Sequence, residues 1–342
     1  MTARANERLI ANWLTLCCLV ILGMILLGGV TRLTHSGLSM VEWRPLLGIV
    51  PPLTEAEWMR VFSEYKLSPE YQLINFGMDL DGFKSIFLYE YLHRVLGRLI
   101  GLLYFLPLVY FWVKGRIPAD IKGRLVVFLI LGGCQGLLGW YMVKSGLVED
   151  PRVSQYRLAS HLGLAIFLYC CLVWLAFELH ARARGVQQNI RTAIAPYALA
   201  LVGVVFVMAL SGALVAGTRA GFAYSTWPLM GNSFIPAGLY STDPWWRSIF
   251  EDITTVQFNH RIFAYILIAA LSVFSLRLWQ RGLTLPAVLV MAALFAQVTL
   301  GISALLMHVP VAIGAAHQVG AVILLTTLIF AERSLVWRRA SD

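Results

Sequence analysis

The sequence predicts an all-α integral membrane protein: eight transmembrane helices forming two pseudo-symmetric four-helix bundles, related as a parallel repeat. Three observations predict it: the composition, the number of long apolar runs, and a set of motifs that returns once along the chain. Of 342 residues, 59% are hydrophobic and 13% charged, with a mean hydropathy of +0.73. A soluble domain carries about a quarter charged residues, so this much apolar surface has no place in a water-soluble fold. A span needs about 20 apolar residues, and eight runs qualify, at 9–31, 86–113, 124–143, 157–179, 194–216, 256–278, 284–307 and 313–335.

The first run follows Arg4 and Arg8, as a signal peptide would. It continues through Gly28 and Gly29 into a motif that recurs after the fifth run, without a small-residue cleavage site, and reads as a retained helix. That motif is GGVTRLTHSGLSMVEWRPLLG from Gly28, matched by GALVAGTRAGFAYSTWPLMG from Gly212, so that Gly37, Trp43, Pro45 and Gly48 meet Gly221, Trp227, Pro228 and Gly231. Span 2 opens EYLHRVLGR from Glu90, and span 6 opens QFNHRIFAY from Gln257. Span 3 holds QGLLG from Gln135, and span 7 holds QVTLG from Gln297. Spans 4 and 8 open near His161 and His317. The offsets of 184, 167, 162 and 156 fall steadily, because the first half has the longer connections. Four motifs in one order define a repeat. With an even number of spans in each half, residues 1–186 and 187–342 enter the membrane from the same side.

Sidedness follows from the connections. With the N-terminus inside, the inner segments hold 14 of the 27 basic residues (Arg4, Arg8, Lys114, Arg116, Lys122, Arg124, Arg182, Arg184, Arg191, Arg277, Arg281, Arg333, Arg338 and Arg339) against five of the 18 acids, Glu7, Asp120, Glu178, Glu332 and Asp342. The outer segments balance 13 of each, spread over more residues. Both termini are therefore placed on the cytoplasmic side, and the net charge of +9 reflects topology rather than nucleic-acid binding. The two long connections, 32–85 and 217–255, lie outside; rich in Trp, Pro and Gly, they are expected to fold over the helix ends. Cys17, Cys18, Cys134, Cys170 and Cys171 all fall within spans and read as small apolar packing residues, with no haem-attachment or zinc spacing.

Of seven histidines, four sit at repeat-related positions near the outer starts of spans: His93, His161, His260 and His317. Ionisable groups within membrane helices are costly and face the bundle interior. Histidines on facing helices at one depth suit the two axial positions of a haem iron, giving His93 with His161 and His260 with His317. Zinc, the alternative for imidazole, calls for more ligands at tighter spacing. Gly97 and Gly101 follow His93 at helical spacing, Gly132 and Gly136 lie in span 3, and Gly314 precedes His317, either as room for a flat ligand or as helix packing. His35 and His308 have no histidine counterpart and His180 lies on the inner face, so all three are set aside.

The halves are not identical. Glu90 lies one turn before His93, whereas its counterpart is the uncharged Gln257. An acid there can hold or relay a proton, or else pair with Arg94 at i+4. The asymmetry assigns the substrate to the first half and a permanent haem to the second. Arg94, Arg98 and Arg261 are suited to haem propionates by bidentate pairing, or else snorkel to the interface.

Taken together, the EYLHR and FNHR openings, His161, His317 and eight spans in two halves resemble the haem A synthase family along essentially the whole chain. The resemblance implies oxidation of the C8 methyl of haem O to a formyl group by successive hydroxylations, giving haem A for cytochrome oxidase. It implies that His260 and His317 ligate a haem b cofactor, that His93 and His161 hold the substrate haem, and that Glu90 stands beside the reaction centre. The partners implied are haem O, a haem O synthase, an electron-transfer partner and membrane lipids, with a homo-oligomer left open. Connection 32–85 contains no cysteine, so the chain is similar to the alphaproteobacterial and mitochondrial branch, without the first-loop cysteine pair. The short N-terminus, without an Arg/Ser-rich transit peptide, favours a bacterial inner membrane, with the haem sites toward the periplasm. The competing readings are a diheme b-type cytochrome that only transfers electrons, which has no need of Glu90, and a transporter, whose site belongs at mid-membrane.

Overall fold

In lipid an apolar run satisfies its backbone by closing its own hydrogen bonds, which the α-helix does. The structure is a computed structural model describing residues 2–41, 50–147, 153–188 and 194–338. Eight helices in it are long and apolar enough to cross a membrane, and each covers one of the runs read from the sequence. They are α1 (Ala3–Leu33), α4 (Leu80–Val113), α5 (Ala119–Gly146), α6 (Gln155–Ala183), α7 (Ala195–Thr218), α9 (Ile253–Gln280), α10 (Thr284–Leu306) and α11 (Val311–Val336). The chain is a multi-pass membrane protein. Trp43, Pro45, Gly48, Arg191, Arg339 and Asp342 lie outside the described residues.

Helix α4 begins six residues before its apolar run, because the Asp79 carboxylate accepts from Gly82 N at 2.8 Å and caps it. Helix α9 is started likewise by Asp252, which accepts from Thr255 N at 2.7 Å. Among the described residues the paired strands are a two-residue antiparallel match of 187–188 with 337–338.

Helix α1 packs on α4, α6 and α11, and α5 packs on α6. Helix α7 packs on α6, α9 and α11, and α10 on α9 and α11. The core runs down the middle of this arrangement, with Ile10, Leu14, Leu172, Leu179, Leu325 and Leu328 fully buried. In the most apolar stretch of α6, 56% of residues are buried, and in that of α5, none. Helix α6 is thus central and α5 peripheral. Polar side chains in the bundle find carbonyls, as a polar group in hydrocarbon must. Trp13 Nε1 donates to Leu103 O at 2.8 Å, Tyr104 Oη to Leu125 O at 2.8 Å, and Ser275 Oγ to Ala287 O at 2.7 Å. All five cysteines are free; Cys17 and Cys18 are buried in the core and Cys134 is exposed.

Both long connections lie at one end, the loop end, where Arg32 Nη2 at the end of α1 donates to Ala216 O near the end of α7 at 3.0 Å. At the opposite end Arg124 and Arg182 both pair with the buried Glu178, and Arg182 also meets Asp120 at 2.7 Å. Two short helices in the first connection, α2 (Glu55–Lys66) and α3 (Pro69–Leu73), cover the start of α4. Their Phe62, Tyr65 and Tyr71 cluster with Phe83, Ile86 and Phe87 of α4. The second connection holds one short helix, α8 (Ser248–Glu251), and two 3₁₀ turns.

Candidate functional site

Helix α4 carries Glu90, His93, Arg94 and Arg98 on successive turns at the loop end. Glu90 is 2% exposed. Its Oε2 accepts from Ser39 Oγ at 2.7 Å and Met40 N at 2.8 Å, and its Oε1 accepts from Arg94 Nη2 at 2.5 Å. The ion pair with Arg94 is thus present, and it is buried, with side-chain exposures of 9% and 3%. It is therefore a different object from a surface pair, whose partners water screens. Arg94 Nη2 also donates to Met40 O at 2.9 Å, fixing the chain where it leaves α1 against the start of α4.

Helix α9 repeats the scheme without the charge. Gln257, at the position of Glu90, is buried and donates from Nε2 to Tyr224 O at 3.0 Å. Arg261, at the position of Arg94, donates to Thr226 O, Leu229 O and Tyr224 O at 2.9, 3.1 and 2.9 Å. Met40 and Tyr224 are themselves related by the offset of 184, so both arginines hold the same point of their connections. Arg98 is half-buried.

The four histidines share one local environment that spacing did not announce. Each ring lies against a glycine on a neighbouring helix. A Cβ on Gly28 would stand 3.2 Å from His93 Nε2, one on Gly139 3.0 Å from His161 Cε1, one on Gly212 3.4 Å from His260 Cε1, and one on Gly301 2.7 Å from His317 Cε1. Gly28 and Gly212 are repeat partners, as are Gly139 and Gly301, which close the QGLLG and QVTLG motifs. Within each pair the rings stand in electrostatic range, His93 of His161 and His260 of His317. Polar neighbours orient them further: Ser211 Oγ lies 3.1 Å from His260 Nδ1, and Gln135 Nε2 lies 3.2 Å from His161 Nδ1 while donating to His161 O at 3.0 Å.

Paired imidazoles suit a haem iron, which takes two axial nitrogens, and a Cβ at any of the four backing glycines would crowd the imidazole it faces. Among the described residues no three or more His, Cys, Asp or Glu side chains gather around one point; the nitrogen donors come in pairs. Gly101, Gly132 and Gly136 have open space where a Cβ would be, whereas Gly314 packs against Leu33 of α1 and serves the helix interface. His180 lies away from the pairs, 3.2 Å from Thr15 Oγ1, and His35 is exposed in the loop. An apolar groove of about 520 Å³ is walled by Phe128, Phe167, Cys170, Trp174 and Phe206 and includes none of the four histidines.

Residues 11–329 match the profile of a family described as cytochrome oxidase assembly protein. The chain belongs to that family. It is 45% identical to the Heme A synthase of Nitrosospira multiformis over 340 residues, covering 97% of this chain and 94% of that protein. It is 46% identical to the Heme A synthase of Paramagnetospirillum magneticum over 339 residues, covering 97% and 95%. It is 44% identical to human Heme A synthase COX15 over 339 residues, covering 95% and 82%. Family membership thus spans both halves and all four histidines. Ser39, Met40, Ser211, Gln135 and the four backing glycines were not singled out from the sequence. All but Ser211 lie in motifs already aligned there.

Proposed function

We propose that this chain is a haem A synthase, an oxidoreductase that converts the C8 methyl of haem O to a formyl group by successive hydroxylations. The observation that carries the reading is the set of four glycine-backed histidines with a buried carboxylate, Glu90, one turn before His93, where the related position before His260 holds the uncharged Gln257. The relatives named heme A synthase, aligned over nearly all of this chain, support the same reading.

On this reading the halves 1–186 and 187–342 are related by the repeat and divide the work. His260 and His317 hold a resident haem b, which supplies electron transfer when bound. Ser211, 3.1 Å from His260 Nδ1, would orient that ring for a metal, as partners of metal-bound histidines do. His93 and His161 hold the substrate haem, and Glu90 beside them takes up a proton released as the methyl is oxidised. Arg94 and the Ser39–Met40 turn keep the carboxylate aimed. Arg94, Arg98 and Arg261 are the cations that would pair with propionates; in the structure Arg94 and Arg261 spend donors on loop carbonyls. Lipid surrounds the spans in a bacterial inner membrane, with both termini cytoplasmic and the loop end periplasmic. A haem O synthase supplies the substrate, and a separate partner exchanges electrons.

The test is extraction and chromatography of haems from cells co-expressing the chain with a haem O source. Haem A, or its hydroxylated precursor, appearing only with the intact chain is the expected result. Unchanged haem O beside a stable bis-histidine haem b would instead assign a diheme electron-transfer cytochrome.

A further inference from the structure

Beside the first histidine pair two neighbouring helices stand apart. Helix α5 packs closely on α6 but touches α4 only sparsely, whereas α10, its counterpart in the repeat, packs well on α9. Positions 93, 97 and 101 share one face of α4, and 132, 136 and 139 share one face of α5. At a rise of about 1.5 Å per residue, Gly101 lies about 12 Å from His93, and Gly132 about 10 Å from the Gly139 that backs His161, both away from the loop end. Gly101, Gly132 and Gly136 are exposed, and a Cβ on any of them would meet nothing within 4 Å. One turn further on, Phe105, Leu108 and Val109 of α4 and Val126 and Leu129 of α5 line an apolar groove of about 280 Å³. Tyr104, buried beside Trp13 of α1, donates to Leu125 O and joins the two helices on the bundle side. In the most apolar stretch of α5 no residue is buried, so the cleft opens sideways to lipid.

In the second half Ile268, Leu294 and Val298 stand at the positions of Gly101, Gly132 and Gly136 and pack into the core. Both pairs carry the mark of a ligand all the same. Gln135 Oε1 and Gln297 Oε1, related by the repeat, are buried without a hydrogen-bond partner among the described residues, as is His317 Nδ1. Buried polar atoms are otherwise satisfied in folded proteins. What separates the two pairs is the room beside them. Haem O and haem b share the ring and its iron and differ at the ring edge, where haem O carries a long isoprenoid chain.

Taking the first half as the reacting site, we propose that the cleft between α4 and α5 is the subsite for the isoprenoid chain of haem O, which enters sideways from the bilayer. The chain passes Gly101, Gly132 and Gly136 and ends in the groove between Phe105 and Leu129. Lipid is as apolar as the groove, so the cleft selects by room rather than by attraction. In the second half Ile268, Leu294 and Val298 fill the space that a chain would need, and a haem without one is what remains.

The experiment uses the full-length chain in phospholipid nanodiscs, with its second-half haem in place, and reads optical titrations with haem O and with haem b. In the wild type both should bind at the first pair. Gly101→Ile and Gly132→Leu install the second half's residues. Each should weaken haem O about tenfold and leave haem b unchanged, the scale on which an apolar pocket rejects an added group. Since nothing lies within 4 Å of an added Cβ, the fold should hold, and retention of the second-half haem checks it. Gly133→Leu, equally exposed but on another face of α5, should change neither affinity. Haem O and haem b weakened alike, or haem O binding unmoved by Gly101→Ile and Gly132→Leu, would overturn the subsite and leave the cleft to lipid acyl chains. A wild-type chain that takes up neither haem at the first pair would overturn the functional reading itself, and the subsite with it.

Discussion

Laid over one another by the repeat, the two histidine pairs sit in the same backbone setting and differ in what surrounds it. Both have rings backed by glycine and an arginine holding the connection at a related carbonyl. In the first half the helix also carries the carboxylate of Glu90, held by three donors; in the second, the amide of Gln257 makes a bond to Tyr224 O. In the first half Gly97, Gly101, Gly132 and Gly136 stand where the second has Ala264, Ile268, Leu294 and Val298. Ile268, Leu294 and Val298 pack into the core, while a Cβ at Gly101, Gly132 or Gly136 would meet nothing within 4 Å. The framework is shared, while the Glu90 carboxylate and the open positions at Gly101, Gly132 and Gly136 have no like at the related positions of the second half. A site that keeps its ligand gains from filled space, since each void forfeits contacts; a site that admits and releases a reacting molecule needs room and a proton acceptor.

The sharpest way to break this comparison is to remove its charge. Glu90→Gln, which makes the first site resemble the second, should lower haem A formation on the order of a hundredfold, the scale of a lost general base. Bound haem b should be unaffected, whereas Gln257→Glu should leave turnover close to wild type. Steady-state product analysis of the two variants checks this, and an equal loss in both would erase the distinction between the halves. A smaller effect is expected from removing the space. Gly136→Val installs the second half's residue where there is room for it, so thermal stability should hold while turnover falls about tenfold, the scale of one misplaced apolar group in a pocket. Unchanged kinetics would mean that the opening faces only lipid.

The spans were readable because hydrocarbon leaves an apolar run one structure to adopt, and the extra turns of α4 came from a cap at Asp79 that hydropathy does not weigh. The histidine pairs were readable through recurrence. What surrounds Glu90 was not: Ser39 and Met40 reach it only because the chain after α1 turns back over α4, a contact across about fifty residues that no local pattern encodes. The ion pair with Arg94 was visible at i+4, but its burial was not.

The division of labour is tested most directly by the haem content of the chain purified from cells that make no haem O. The account predicts one haem b per chain, lost in His260→Ala and His317→Ala and retained in His93→Ala and His161→Ala. Equal loss from both pairs of variants, or two haem b groups bound alike, would contradict it.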